Sequence, residues 1–228
     1  MNLNIRFSDV SVRFGERVAL HPFSLTLEER RIGIIGLNGS GKTTFAKLIN
    51  GLVKPTNGNV TVNGLDTKDD AKAVLALAGF IFQNPQHQLI MPVVREDLAF
   101  GLKQRGIKGD DLDMRIKTIL ERFGIENLAN RRVHELSGGE LQLAAIASVA
   151  VTGPEILIFD EPVNQLDIRN RKRVVEAILG LEESAVVISH DLGLLANFDR
   201  VLVFDQGRIV FDGAPASAIA HYEAVATC

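Results

Sequence analysis

Gly36-Leu37-Asn38-Gly39-Ser40-Gly41-Lys42-Thr43-Thr44 is the stretch on which the reading of this chain turns. Ile32-Gly33-Ile34-Ile35 before it is short and apolar, as a buried strand is. Phe45-Ala46-Lys47-Leu48-Ile49 after it continues with helical spacing. Strand, glycine loop and helix in that order form a phosphate-binding loop. Its small residues let consecutive backbone N–H groups turn inward around an anion, and the helix N-terminus adds its dipole. Lys42 is placed to reach the β- and γ-phosphates of a nucleotide, and the Thr43 hydroxyl to ligate Mg²⁺. Asn38, Gly39, Ser40, Gly41 and Thr44 complete the candidate phosphate site. Chance alone gives Gly-x4-Gly-Lys-[Ser/Thr] in roughly 1 in 100 chains of this size, and the flanking strand and helix reduce that further.

A chain of 228 residues has room for one α/β domain with a sizeable core and one inserted subdomain. At 46% hydrophobic and 23% charged, with no low-complexity stretch, it is expected to be ordered. A formal net charge of -3 argues against a dedicated nucleic-acid binder, whose footprint is usually basic. The single cysteine, Cys228, allows no internal disulfide and fits a reducing compartment. Residues 1–6 lack the apolar core of a signal peptide. The longest nearly apolar run, Leu141 to Val151, is interrupted by Gln142 and Ser148 and is too short to span a bilayer. A membrane role is therefore expected only through a partner.

Leu3–Phe7, Val10–Phe14 and Phe23–Leu27 alternate polar and apolar residues and read as three strands of an antiparallel layer, with a turn at Phe14-Gly15-Glu16-Arg17. A further strand covers Val60–Gly64, a helix Asp69–Leu77, and a buried strand Phe80–Gln83. Loop-like Asn84–Pro92 gives way to helical spacing over Val94–Leu102 and Asp111–Phe123, the second opening on carboxylates that suit the helix dipole. Leu141–Ala150 is apolar almost all round, so that helix should be buried. An inserted helical subdomain is expected at 85–150, with 1–84 and 151–228 forming the nucleotide-binding core. Ile156–Phe159, Ala185–Ile188 and Val201–Phe204 are continuous apolar runs of parallel-strand type. A helix over 168–181 and a last strand at Ile209–Gly213 complete the pattern.

Asp160-Glu161 follows the 156–159 strand directly, where carboxylates of a parallel sheet point into the ligand crevice. Asp160 is thus a candidate Mg²⁺ holder and Glu161 a candidate to orient or deprotonate an attacking water. Taken alone, Asp-Glu-Pro is equally a strand-ending turn; the phosphate loop tips the balance. His190 ends the 185–189 strand in the same way, against the alternative of an ordinary surface histidine such as His21 or His134. Gln83 ends a third strand and could bridge the ion and the water. Leu136-Ser137-Gly138-Gly139-Glu140 opens the apolar helix and offers a second anion-binding helix start. A local Ser137 cap explains the serine too. One phosphate loop and two anion sites are reconciled by a symmetric dimer, in which the second site of one subunit faces the nucleotide of the other.

Here the sequence resembles the ATP-binding-cassette (ABC) ATPases, across essentially the whole chain. Gly36–Thr43 matches the Walker A loop, Ile156–Asp160 Walker B, and Glu161 the catalytic-base position. Ser137, Gly138 and Gly139 fall in the family signature, Gln83 in the Q-loop, His190 at the switch histidine, Asn164-Gln165-Leu166-Asp167 in the D-loop, and Phe14 at the aromatic position that stacks on adenine. The resemblance implies an α/β P-loop NTPase (RecA-like) core with an N-terminal antiparallel β layer and an inserted helical subdomain. It implies ATP and Mg²⁺ as cofactors, with Thr43, Gln83 and Asp160 around the metal. ATP is implied to lie between two cassettes, in a homodimer or with a paralogous cassette, whose closing and opening drive a membrane partner.

Phe82–Gln88 and Glu96–Gly101 look more narrowly like the ATPases of energy-coupling-factor importers. These take up vitamins or transition-metal ions through a transmembrane coupling subunit and a small substrate-binding membrane subunit. The short C-terminus is similar to the biotin-importer ATPase of that group. The implied location is peripheral, on the cytoplasmic face of the inner membrane, with no nucleic acid as partner. Two features depart from the family pattern: Asn164-Gln165 replaces the usual small D-loop residues, and Leu143 and Ser148 stand where basic residues are common. The alternative function is a soluble ABC-type ATPase acting on nucleic acid or ribosomes, for which only the basic cluster Arg169, Arg171, Lys172 and Arg173 speaks, and a solvated helix face explains that better. A small-molecule P-loop kinase has no use for residues 136–140.

Overall fold

The computed structural model describes residues 3–226. In chain order its strands and helices are β1 (Ile5–Phe14), β2 (Arg17–Leu27), β3 (Arg31–Gly36), α1 (Lys42–Ile49), β4 (Asn57–Val62), β5 (Leu65–Asp66), α2 (Ala71–Leu77), β6 (Ala78–Ile81), α3 (Val94–Gln104), α4 (Gly109–Phe123), α5 (Gly138–Ala150), β7 (Ile156–Asp160), α6 (Ile168–Leu179), β8 (Ser184–Ile188), α7 (Leu192–Leu195), β9 (Arg200–Asp205), β10 (Arg208–Gly213) and α8 (Pro215–Ala226). The chain divides into two compact units.

The first unit takes the chain up to Phe80, Glu155–Glu161, and the chain from Glu182 onward. It holds an antiparallel sheet in the order β2-β1-β4-β5 and most of a six-stranded sheet in the order β10-β9-β3-β8-β7-β6. β3, the strand that feeds the phosphate loop, lies centrally and runs parallel to both β8 and β9. All six of its residues are buried, which is why it reads as a continuous apolar run. β10 turns back antiparallel on β9, so the sheet is mixed. The expected α/β architecture with an antiparallel layer is the one observed.

Where three N-terminal strands were expected, there are two. β1 runs unbroken from Ile5 to Phe14, and β2 begins at Arg17 rather than Phe23. The reason is a bulge: pairing with β2 shifts between Phe7 and Val10, and Asp9 stands at φ 48 with its N–H donating to Ser24 Oγ at 2.9 Å. The extra residue puts Phe7 and Val10, three apart, on the same buried side, which breaks the period-two pattern without breaking the strand.

Phe45 of α1 locks the phosphate-loop helix in place. Its ring stacks on Phe7 at 4.7 Å, meets Phe204 of β9 at 5.0 Å, and lies 5.8 Å from Phe23. Rings at these separations gain contact energy beyond their buried area. At the outer edge, Arg200 donates twice to Asp212 at 2.6 Å and to Glu29 Oε1 at 3.0 Å, tying β9 to β10 and to the end of β2.

The second unit comprises Ile81–Pro154 and Pro162–Leu181. α5 is its centre: nine of its thirteen residues are buried, against α3, α4 and α6. Leu143 is 2% exposed, so a basic residue there would have to bury its charge. Ser148 returns its hydroxyl to Ala145 O at 2.9 Å. α4 is amphipathic, with Leu112, Ile116, Ile119, Leu120 and Phe123 buried, and it ends on Gly124 in the left-handed region.

Candidate functional site

In the first unit, α1 starts on Gly41, whose φ is +101. A Cβ there would meet Ala19 O and Leu20 Cδ2, each at 2.8 Å, so both the dihedral and the space require glycine. Ser40 O accepts the Gly207 N–H at 3.0 Å, fastening the loop to the β9–β10 turn. Ser40 itself is 3% exposed and its Oγ has no partner among the described residues. A buried, unpaired hydroxyl in a loop of inward-facing amides is a polar group awaiting an anion. Asn38 and Gly39 stand exposed at the loop's crest, and Thr44 follows half-buried in the first turn of α1.

Lys42 is buried, and its Nζ donates to Gly36 O at 2.7 Å and Leu37 O at 3.0 Å. Burial pushes its pKa down, against the opposing pull of Glu161 and Asp160. Thr43 Oγ1 lies 3.0 and 3.1 Å from the two carboxylate oxygens of Asp160, at the end of β7. Burial pushes the Asp160 carboxyl up, while Thr43 and the lysines Lys47 and Lys42 hold it down. Thr43 and Asp160 thus present hard oxygen donors at one point beside a lysine, a set that fits Mg²⁺ shared with phosphate oxygens.

Glu161 adopts φ 52, uncommon for a residue with a Cβ. Its N–H is held by Ile188 O at 3.0 Å, which turns the side chain off the end of the sheet. Oε2 accepts the His190 N–H at 3.3 Å, and Oε1 lies 3.3 Å from His190 Nε2. Burial raises the Glu161 pKa. His190 sits two residues beyond the end of β8, between Ser189, whose N–H reaches Ile34 O, and Asp191, which caps α7 through Leu194 N. Burial and then Lys42 lower the His190 pKa, which favours the neutral ring. Its other nitrogen, Nδ1, is 3.3 Å from Tyr222 Oη on α8. Phe14 ends β1 with 55% of its surface exposed, free to take a flat ring.

In the second unit, Ser137 caps α5 in a reciprocal capping box with Glu140: Ser137 Oγ accepts Glu140 N at 3.4 Å, and Glu140 Oε2 accepts Ser137 N at 2.9 Å. That backbone hydrogen bond holds the Glu140 pKa down. Ser137 and Gly138 are exposed. Gly139 is buried, and a Cβ on it would overlap the Asn170 side chain of α6. Gly138, Gln83, Asn84, Gln142, Asn164 and Gln165 line one cleft of about 410 Å³. Gln83 was expected to end a strand, but β6 stops at Ile81. The Phe82 N–H donates to Gln88 Oε1 at 3.2 Å, so the chain has left the ladder by then and Gln83 belongs to a loop.

Two residues outside the set of expected site residues hold these parts in place. Asp97 is buried and its Oδ1 accepts the N–H groups of Ile90 and Met91 at 2.7 and 3.0 Å, pinning the loop that follows Gln83. Tyr222 reaches His190 from 32 residues away.

A family model described as ABC transporter matches residues 20–164, through the phosphate loop, residues 136–140 and Asp160-Glu161. The chain belongs to the ABC transporter family. This cassette is 58% identical over 224 residues, 98% of its own length and 100% of the other's, to a biotin transport ATP-binding protein, BioM, of Rhizobium etli. It is 40% identical over 190 residues to an energy-coupling factor transporter ATP-binding protein, EcfA1, of Halalkalibacterium halodurans, covering 81% of this chain and 68% of that one. Among solved structures it superposes with a TM-score of 0.81 and 26% identity on a dimeric post-hydrolysis state of the cassette MJ0796 bound to ADP and Pi, covering 92% of this chain and 98% of that one. The cassette is accordingly an ATP-binding and ATP-hydrolysing protein. Among its described residues no helix is long and apolar enough to cross a membrane.

Proposed function

We propose that this cassette energises an energy-coupling-factor importer from the cytoplasmic face of the membrane, with biotin as the transported vitamin. The observation that carries the cargo is the full-length, 58% identical relative named for biotin transport. The chemistry rests on the Thr43–Asp160 and Glu161–His190 pairs.

In this reading Lys42 exchanges the carbonyls of Gly36 and Leu37 for β- and γ-phosphate oxygens, and Ser40 Oγ and the loop amides take the rest of the negative charge. Thr43 and Asp160 would hold Mg²⁺, which would supply charge neutralisation on the phosphates. Glu161 orients a water and accepts its proton as the new P–O bond forms. The bond from the γ-phosphorus to the bridging oxygen breaks, and ADP leaves with that electron pair. His190 faces Glu161 and the γ-phosphate side, and Phe14 stacks on the adenine. We assign Gln83 to the nucleotide and its ion by its Q-loop position, and residues 85–150 as the helical subdomain. Ser137, Gly138 and Gly139 complete the nucleotide site of a second cassette. The dimeric state of the MJ0796 relative supports that pairing, and the energy-coupling-factor relative supports a transmembrane coupling subunit and a small substrate-binding subunit as partners.

The test is to purify the tagged chain from gently solubilised membranes of its source and to measure biotin uptake in the same cells. Two small integral membrane proteins should co-purify, and uptake should stop when Glu161 is replaced by Gln. A soluble partner or nucleic acid in their place, or uptake of biotin independent of this chain, would overturn the reading.

A further inference from the structure

His190 has a second side, facing away from Glu161, whose role rests on the catalytic-site reading of Glu161 and His190. A carboxylate can only accept hydrogen bonds, so an imidazole whose Nε2 lies 3.3 Å from Glu161 Oε1 meets it best in the tautomer that carries the proton on Nε2. Nδ1 is then a bare lone pair. In the structure it does not face open solvent alone: Tyr222 Oη lies 3.3 Å away, within reach to donate to that lone pair. Tyr222 is half-buried on α8, which packs along β9, β10 and β3 and is fixed beside it by His221 stacking on Phe211 at 5.2 Å. The backbone N–H of His190 is held by Glu161 Oε2 and its neighbours Ser189 and Asp191 are anchored by bonds of their own, so its remaining freedom is rotation of the ring. One hydrogen bond at Nδ1 removes that freedom and selects the tautomer in which Nε2–H points at Glu161.

We propose that Tyr222 is the positioning residue of the hydrolytic site: its hydroxyl donates to His190 Nδ1 and holds the ring, as its Nε2–H tautomer, against Glu161. The C-terminal helix thereby becomes part of the ATPase machinery, and a displacement of α8 would release His190 without touching the phosphate loop.

The chain has one tyrosine and no tryptophan, so Tyr222 is its sole source of indole- or phenol-type emission. Three measurements on the full-length chain test the proposal together. Tyr222→Phe keeps the ring and removes the hydroxyl. It should lower kcat for ATP by about three- to tenfold, the range set by one neutral hydrogen bond, with KM unchanged. The ¹⁵N resonances of the His190 imidazole should move toward a mixture of tautomers in the same variant. Tyr222 emission, with the tyrosine intact, should change in His190→Ala, which tests the contact even if Tyr222→Phe folds poorly.

An unchanged kcat in Tyr222→Phe overturns the proposal. So does a lowered kcat with unmoved His190 resonances, which would make Tyr222 a packing residue, and so does Tyr222 emission indifferent to His190→Ala. Failure of the underlying site reading is distinct from all of these. It would appear as wild-type turnover in His190→Ala itself, whereas a dead His190→Ala beside a fully active Tyr222→Phe removes only the role of Tyr222.

Discussion

Glu161 and His190 engage each other twice, once through the His190 backbone N–H to Oε2 and once between Nε2 and Oε1, both at 3.3 Å. The double contact aims the carboxylate off the end of β7 rather than into the sheet, at the cost of the left-handed backbone of Glu161. An arrangement of this kind serves a group whose direction matters. Glu161→Gln keeps the shape and loses the base, so turnover should fall by about 10²–10⁴-fold. ATP affinity should stay near wild type, because Lys42 and the loop amides are untouched. Phosphate release and equilibrium nucleotide binding on the same preparation check both halves; wild-type turnover would remove Glu161 from the mechanism.

The lowered pKa of His190 has a consequence for stability as well as for catalysis. In the unfolded chain the ring protonates near its ordinary value of 6.5, whereas in the folded protein burial and Lys42 hold it neutral to lower pH. The unfolded state therefore binds more protons between those two values, and native stability falls as pH drops through that window. Above about pH 7 both states are neutral and the group contributes nothing. His190→Asn should accordingly lose less thermal stability than wild type between pH 7 and pH 5. Parallel melting curves across that range test it; identical slopes would mean that the ring titrates normally in the fold.

The phosphate loop and the strand-end carboxylates were legible in the sequence because each is a local event: a glycine run between a strand and a helix, or a charge directly after four apolar residues. Leu141–Ala150 was legible as a buried helix for the same reason. The N-terminal layer was misread where Asp9 bulges out of β1, since an inserted residue reverses the alternation on which a strand is recognised. Gln83 was placed at a strand end because Phe80–Phe82 continues the apolar pattern, yet the Phe82 amide is claimed by Gln88. Leu143, unexplained as a departure from a basic residue, is a core position of α5. Tyr222 carried no sequence signal at all, and Asp97 only a share in the Glu96–Gly101 resemblance, with no role attached to it. Each acts through a tertiary contact, and a tyrosine in an alanine-rich helix or an aspartate in a first turn has an ordinary local explanation.

Ser137 separates two roles that the sequence left together. Its hydroxyl is committed to the capping box with Glu140, so Ser137→Ala should weaken α5 by about 1 kcal/mol. Its surface is nevertheless exposed, as is that of Gly138, and both are available to a second copy of the chain. Ser137→Arg, made in the slowly hydrolysing Glu161→Gln protein, should leave ATP binding intact and abolish the ATP-dependent dimer. Analytical ultracentrifugation with and without ATP decides it. A dimer that persists in the double variant would count against the facing-site arrangement.

Phe45 tests how far the aromatic cluster, rather than the glycine loop alone, holds the nucleotide site together. Its ring is fully buried between Phe7, Phe23 and Phe204, three residues after Lys42 and two after Thr43. Truncation to alanine removes the ring contacts and opens a cavity under the first turn of α1. Large-to-small changes of this kind cost about 3–5 kcal/mol. At about 2–4 °C per kcal/mol for a chain of this size, the melting temperature should fall by roughly 6–20 °C. Phe45→Leu refills most of the volume without the stacking and should lose markedly less. Saturating ATP should restore part of the lost stability in both variants, because nucleotide bound at Lys42 and Thr43 favours the folded state. Equal melting points for wild type and Phe45→Ala would mean that α1 is held by its loop and not by its core face.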